Sequence, residues 1–138
     1  MLDHIALQVS DVSTSADFYD VVLAPLGGRR QAQFDRGAGL VVGFGVDAST
    51  FWIGPVTTAG TAREVHIAFA APDRAAVRAF EAAAVAAGAE VLHSARLWPQ
   101  YHPSYYGAFV RDPDGNNVEA VCRTPEPDAL SRPALPHP

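Results

Sequence analysis

The sequence has little of what would tie it to several functional classes. A single cysteine, Cys122, stands among 138 residues, so no internal disulfide is available and a cytoplasmic setting is expected. Basic residues form no block, and the formal net charge is −5. The counterion release that drives nucleic-acid binding therefore has no obvious source. No apolar run approaches the roughly 20 residues needed to cross a bilayer, because Gly, Asp and Arg interrupt every candidate. No secretory leader is expected either, since the first residues lack a basic stretch followed by an apolar core. Nucleic acid and membrane are set aside as partners.

What the chain does have is enough apolar residues, 49% against 18% charged, to bury one core without disulfides. It also repeats itself. His4-Ile5-Ala6-Leu7 returns as His66-Ile67-Ala68-Phe69, 62 positions later. At the same offset Asp11 maps to Asp73 and Phe18 to Phe80, and the two segments close at Gly27 and Gly88. Duplication of one supersecondary unit is the simplest source of such a pattern.

Each unit opens with a strand of period two. Ile5, Leu7 and Val9 point one way, whereas His4, Ala6 and Gln8 point the other, and Ile67 and Phe69 oppose His66, Ala68 and Ala70. The large apolar side chains need a helix to pack on, which leaves a face of small residues and one histidine open as a concave surface. The first helix is expected from Asp11 or Ser13, with Phe18, Val21 and Val22 inward, to the breakers Pro25, Gly27 and Gly28. The second spans about Asp73 to Ala87, with Val77, Phe80, Ala84 and Ala87 as its buried stripe. Shorter strands follow each helix, at 29–34, 40–46 and 50–54 and then at 90–95, 105–111 and 117–122. Asp112-Pro113-Asp114-Gly115-Asn116 joins the last two as a hairpin turn, its Pro fixing φ and its Gly permitting φ > 0. The predicted fold is α+β: two paired βαβββ modules, about 1–58 and 63–122, forming a cupped mixed sheet with helices on the outer face. Residues 123–138 read as a proline-rich tail.

Histidines at equivalent places in two repeated strands suggest a shared site. On the final strand Glu119 lies among mostly apolar residues, where a lone carboxylate is costly unless it is paired or bound to metal. Two imidazoles and a carboxylate suit one divalent ion such as Fe, Mn, Ni or Zn and leave positions open for substrate. A single histidine at a strand start is more often a hydrogen-bonded surface residue, and Glu119 alone reads equally as an edge-strand residue facing water. It is the coincidence of His4, His66 and Glu119 in a duplicated module that favours metal.

The stretches Asp3-His4-Ile5-Ala6-Leu7-Gln8-Val9-Ser10-Asp11, Val65-His66-Ile67-Ala68-Phe69 and Phe109-Val110-Arg111-Asp112-Pro113-Asp114-Gly115-Asn116-Asn117-Val118-Glu119 together resemble the vicinal oxygen chelate superfamily. This group holds the glyoxalases, bleomycin-resistance proteins and extradiol dioxygenases. The resemblance implies paired βαβββ modules, metal ligands at His4, His66 and Glu119, and a homodimer. It departs at Thr50-Phe51-Trp52-Ile53-Gly54, where an aromatic stands in place of the fourth, acidic ligand of the glyoxalase I branch. A metal-dependent enzyme acting on a small molecule is implied, with a lyase or isomerase ranked ahead of a ring-cleaving dioxygenase. The alternative is a metal-free protein that binds and sequesters a drug or metabolite. Trp52, Tyr101, Tyr105 and Tyr106 are expected to line the substrate pocket. Glu119 and His102 are the candidate proton-transfer groups.

Overall fold

A computed structural model describes residues 1–35 and 37–127; most of the proline-rich segment lies outside the described residues. The elements are β1 (Ile5–Val9), α1 (Val12–Leu23), β2 (Arg29–Asp35), β3 (Leu40–Gly45), β4 (Phe51–Pro55), β5 (His66–Ala70), α2 (Arg74–Ala86), β6 (Val91–Leu97), β7 (Tyr106–Arg111) and β8 (Asn117–Cys122). They make two four-stranded sheets of identical order, β1-β4-β3-β2 and β5-β8-β7-β6. In each, the first and last strands of the module run parallel and the other pairs antiparallel. This is the mixed, duplicated βαβββ architecture that the repeat predicts. None of the described helices is long and apolar enough to cross a membrane.

The helices begin and end where side-chain chemistry dictates. The Asp11 carboxylate accepts from the Thr14 N–H at 2.9 Å and Asp73 accepts from Ala76 N–H at 2.7 Å, each satisfying a donor that the first helical turn leaves unpaired. α1 runs into a single 3₁₀ turn, Ala24–Leu26, and stops at Gly27, whose φ is +83°; α2 stops before Gly88, at φ +81°. Only glycine adopts that left-handed conformation without strain. The inward stripes differ slightly from expectation. Val21 is exposed and Tyr19 is buried in its place, and Ala87 lies beyond the end of α2 while Ala76 joins its buried face.

Tyr19, Val22, Phe44 and Ile53 from the first module and Val77, Phe80, Val110 and Val118 from the second belong to one buried cluster. α1 rests against β2, β3 and β4, α2 rests against β6, β7 and β8, and the helices touch each other. Both faces turned away from the helices, those carrying His4 and His66, are thereby left open. A buried polar contact spans the modules: the Tyr19 hydroxyl donates to Asp112 Oδ2 at 2.7 Å. Asp112 also accepts from the backbone of Asp114 and Asn116 and from the Asn116 side chain, which fixes the β7–β8 turn.

Removing the Phe80 ring should cost about 3–5 kcal/mol, because a fully buried aromatic leaves a cavity, and Tyr19→Phe should cost about 1.5–3 kcal/mol through the bond to a charged group. Urea denaturation of Phe80→Ala and Tyr19→Phe checks both. Midpoints matching wild type would mean that the two modules do not share this core.

Candidate metal and substrate site

Strand register sets the site. Glu119 on β8 lies beside Ala68 of β5 and Phe109 of β7, and the small Ala68 leaves room above the sheet. The carboxyl is almost wholly buried, at 1% exposure, yet it has two partners. The Tyr105 hydroxyl donates a short hydrogen bond to Oε1, and His66 Nε2 stands 3.2 Å from Oε2. Gly107 makes this packing feasible, since a Cβ there would fall 3.0 Å from Glu119 Oε1 and 3.3 Å from the Tyr105 ring.

The second nitrogen of His66 adds a constraint. Nδ1 lies 3.1 Å from the Asn117 carbonyl oxygen, an acceptor with nothing to donate, so Nδ1 carries the proton. Nε2 then faces the carboxylate oxygen Oε2, and at 3.2 Å the two atoms are close enough to share a proton or a cation. Burial pushes the Glu119 pKa up, against the opposing pull of the Tyr105 bond and His66. Tyr105 is pushed up to about 12, first by burial and then by its bond to Glu119, and at neutral pH it keeps its proton and remains a donor.

Aromatic rings wall the same space. Phe109 stacks on His66 with centroids 6.0 Å apart, Trp98 meets Phe109 edge to face at 5.1 Å, and Tyr101 lies parallel to Trp98 at 6.1 Å. Trp98 is anchored by its indole N–H, which donates to the Gly107 carbonyl at 3.0 Å. A cavity of about 320 Å³ is lined by His66, Tyr101, Tyr105, Phe109, Glu119 and Arg123. Phe109 and Arg123 were absent from the residues singled out by sequence. Phe109 shares the face of Gly107 by strand alternation, a legible signal, whereas Arg123 falls just past the strand.

The other expected residues lie elsewhere. Tyr106 faces α2, between the guanidiniums of Arg74 and Arg78 at 5.2 and 5.8 Å. His102 sits in the turn before β7, where its Nδ1 accepts from the Ser104 N–H, and it does not line the Glu119 cavity. His4 and Trp52 line a separate cavity of about 440 Å³ on the first module, with Asp3, Ala6, Val41 and Ser49. There His4 Nδ1 is 2.6 Å from Asp3 Oδ1. Trp52 pairs with Ala6 as Glu119 pairs with Ala68, so Trp52 is the first module's counterpart of the carboxylate. Its ring fills the space over Gly43 and stacks on Phe34 at 5.7 Å. Among the described residues of one chain, no three His, Cys, Asp or Glu side chains gather closely enough to hold a metal. His66 and Glu119 stand together, whereas His4 lies on the other open face.

A family model for the Glyoxalase/Bleomycin resistance protein/Dioxygenase superfamily matches residues 1–120. The chain belongs to this superfamily. Among solved structures it is similar to a glyoxalase/bleomycin resistance protein from Albidiferax ferrireducens T118, at 27% identity and TM-score 0.73, over 86% of this chain and 96% of that one. Lactoylglutathione lyase from Agrobacterium tumefaciens shares the fold at 23% identity and TM-score 0.63, over 88% and 92% of the two chains. So does a mutant of a fosfomycin resistance protein from Listeria monocytogenes, complexed with Mn(II) and 1S,2S-dihydroxypropylphosphonic acid, at 19% identity and TM-score 0.63, over 88% of each chain. Comparison with curated proteins gave no match.

The buried carboxyl of this superfamily member predicts a pH signature in chelator-treated protein. A carboxyl whose folded pKa is raised binds more protons folded than unfolded, so the stability it permits is present at low pH and is lost as pH rises through the folded value. Glu119→Gln should therefore gain on wild type as pH climbs out of the usual carboxylate range, with no gain at low pH. Paired denaturation curves across pH provide the measurement, and a difference that does not vary with pH would contradict it.

Proposed function

We propose that this superfamily member is a metal-dependent enzyme acting on a small molecule with two adjacent oxygens, and that its site is completed in a homodimer. The observation that carries the reading is the pair formed by His66 Nε2 and Glu119 Oε2, 3.2 Å apart at the floor of an aromatic cavity. His66 and Glu119 would hold a divalent cation, and their donor types are those that Fe, Mn, Ni and Zn accept. His4, the repeat counterpart of His66, is the natural third donor. Because the helices pack between the modules, His4 of a second copy is better placed to join than His4 of the same chain. A cup formed by the first module of one copy and the second module of another would also cover Phe34 and Tyr101, large side chains that are exposed in one chain.

Bound there, the cation would act as a Lewis acid toward an oxygen of the substrate. The chain's own residues do the rest. His66 and Glu119 hold their donor atoms in place, and Tyr105 locks one Glu119 oxygen and so orients the other. Tyr101 and Phe109 offer flat apolar surface to the cavity, and Trp98 backs both rings. Burial that raises the proton affinity of Glu119 suits a group that takes and returns a proton. Lyases and isomerases need that step, which ranks them ahead of an oxygenase. The parallel rings of Trp98 and Tyr101 and of Phe34 and Trp52 also favour a second reading, a metal-free binder of flat molecules.

Dialysed protein should contain about one equivalent of divalent metal per chain by elemental analysis, and both His4→Ala and His66→Ala should lose it. Mixing those two variants, unfolded and refolded together, should restore metal at one site of each mixed pair, where the intact His4 and intact His66 meet. Wild type that binds no metal would favour the sequestering reading. Failure of the mixture alone would remove the shared site.

A further inference from the structure

Arg123 follows directly on β8, four positions after Glu119, and lines the same cavity. Its guanidinium carbon lies 5.1 Å from the centre of the Tyr105 ring. The described residues give it no ion pair, whereas Arg30, Arg74 and Arg111 each have a carboxylate. A guanidinium resting on a ring is oriented by the ring while its N–H fork stays free for another partner. The remaining polar group on the floor, Glu119, is already engaged by Tyr105 and His66. Opposite stands Tyr101, 62% exposed, with Phe109 deeper in. The cavity thus combines a permanently charged bidentate donor at its lip with flat apolar walls.

We propose that Arg123 is the anion-binding residue of this cavity and that the molecule it takes is a small organic acid, its carboxylate on Arg123 and its planar body on Tyr101 and Phe109. A planar carboxylate matches the guanidinium fork with two parallel hydrogen bonds. Among the described residues lining the cavity Arg123 is the sole Lys or Arg, which matches the single charge of one carboxylate. A volume of about 320 Å³ suits one ring with its substituents. The inference rests on the reading that this cavity is the substrate site, but it does not need the metal.

The test compares benzoate with benzamide, a neutral molecule of the same shape, by calorimetric titration of the purified protein as isolated. Wild type should prefer benzoate. Arg123→Gln should weaken benzoate on the order of tenfold, the size of one charge-assisted hydrogen-bonding contact, and leave benzamide unchanged. Arg123→Lys, which keeps the charge without the fork, should fall between. If Arg123 merely offsets the charge of Glu119 or props Tyr105, Arg123→Gln will weaken both ligands alike, and that result overturns the proposal. So does a wild type that binds benzoate no better than benzamide. Metal content measured on the same samples separates the two claims. Metal present with no benzoate preference defeats this inference alone, and benzoate preference without metal defeats the metal reading alone.

Discussion

The fold hinges on one buried carboxylate, that of Asp112. Its two oxygens accept from the Tyr19 hydroxyl, the Asn116 amide group and the backbone N–H groups of Asp114 and Asn116. Neighbours in the same turn extend the contact outward, as Asp114 accepts from the Ser10 N–H and Asn116 accepts from the Val65 N–H. One five-residue turn thereby meets the end of β1, the middle of α1 and the start of β5. A buried anion with several donors is stable where an unpaired one is not, and burial together with the Asp112 charge pushes the Tyr19 pKa far up, so that the donor keeps its proton. This turn also aims β8, and with it Glu119. The position of the site is thus tied to the contact that joins the modules.

Most of the architecture was legible because the alternation on β1 and β5, the Asp caps and the terminal glycines each carry a local physical cause, and because the repeat tests every assignment twice. Helix faces were read less well. Val21 fits the helical spacing but turns to solvent, and Tyr19 takes the inward position. The parallel pairing of β5 with β8 that brings His66 to Glu119 is a fact of the structure, whereas the sequence offered only the coincidence of the two residues in a repeated module.

What could not be read is how one module sits against the other. Sequence assigns His4 to a face, but not to a neighbour of that face, and in one chain the helices keep the two open faces apart. The tyrosines show a finer limit. Tyr105 and Tyr106 are adjacent and extended backbone sends them to opposite sides, so the choice of which one meets Glu119 rests on where β7 begins. His102 was set apart by a local bond to Ser104 that no spacing rule announces. Arg123 was hidden by its place at the border of a proline-rich segment.

The exchange of carboxylate for indole between Glu119 and Trp52 has a consequence for symmetry. Two identical modules facing each other would build a cup with a two-fold axis, and such a cup presents the same groups to either end of a small molecule. Here one wall carries an oxygen donor held by a tyrosine, and the corresponding position on the other module carries a broad ring over Gly43. The divergence at this pair leaves the two open faces of a duplicated scaffold chemically unlike, one offering a carboxylate and the other an indole.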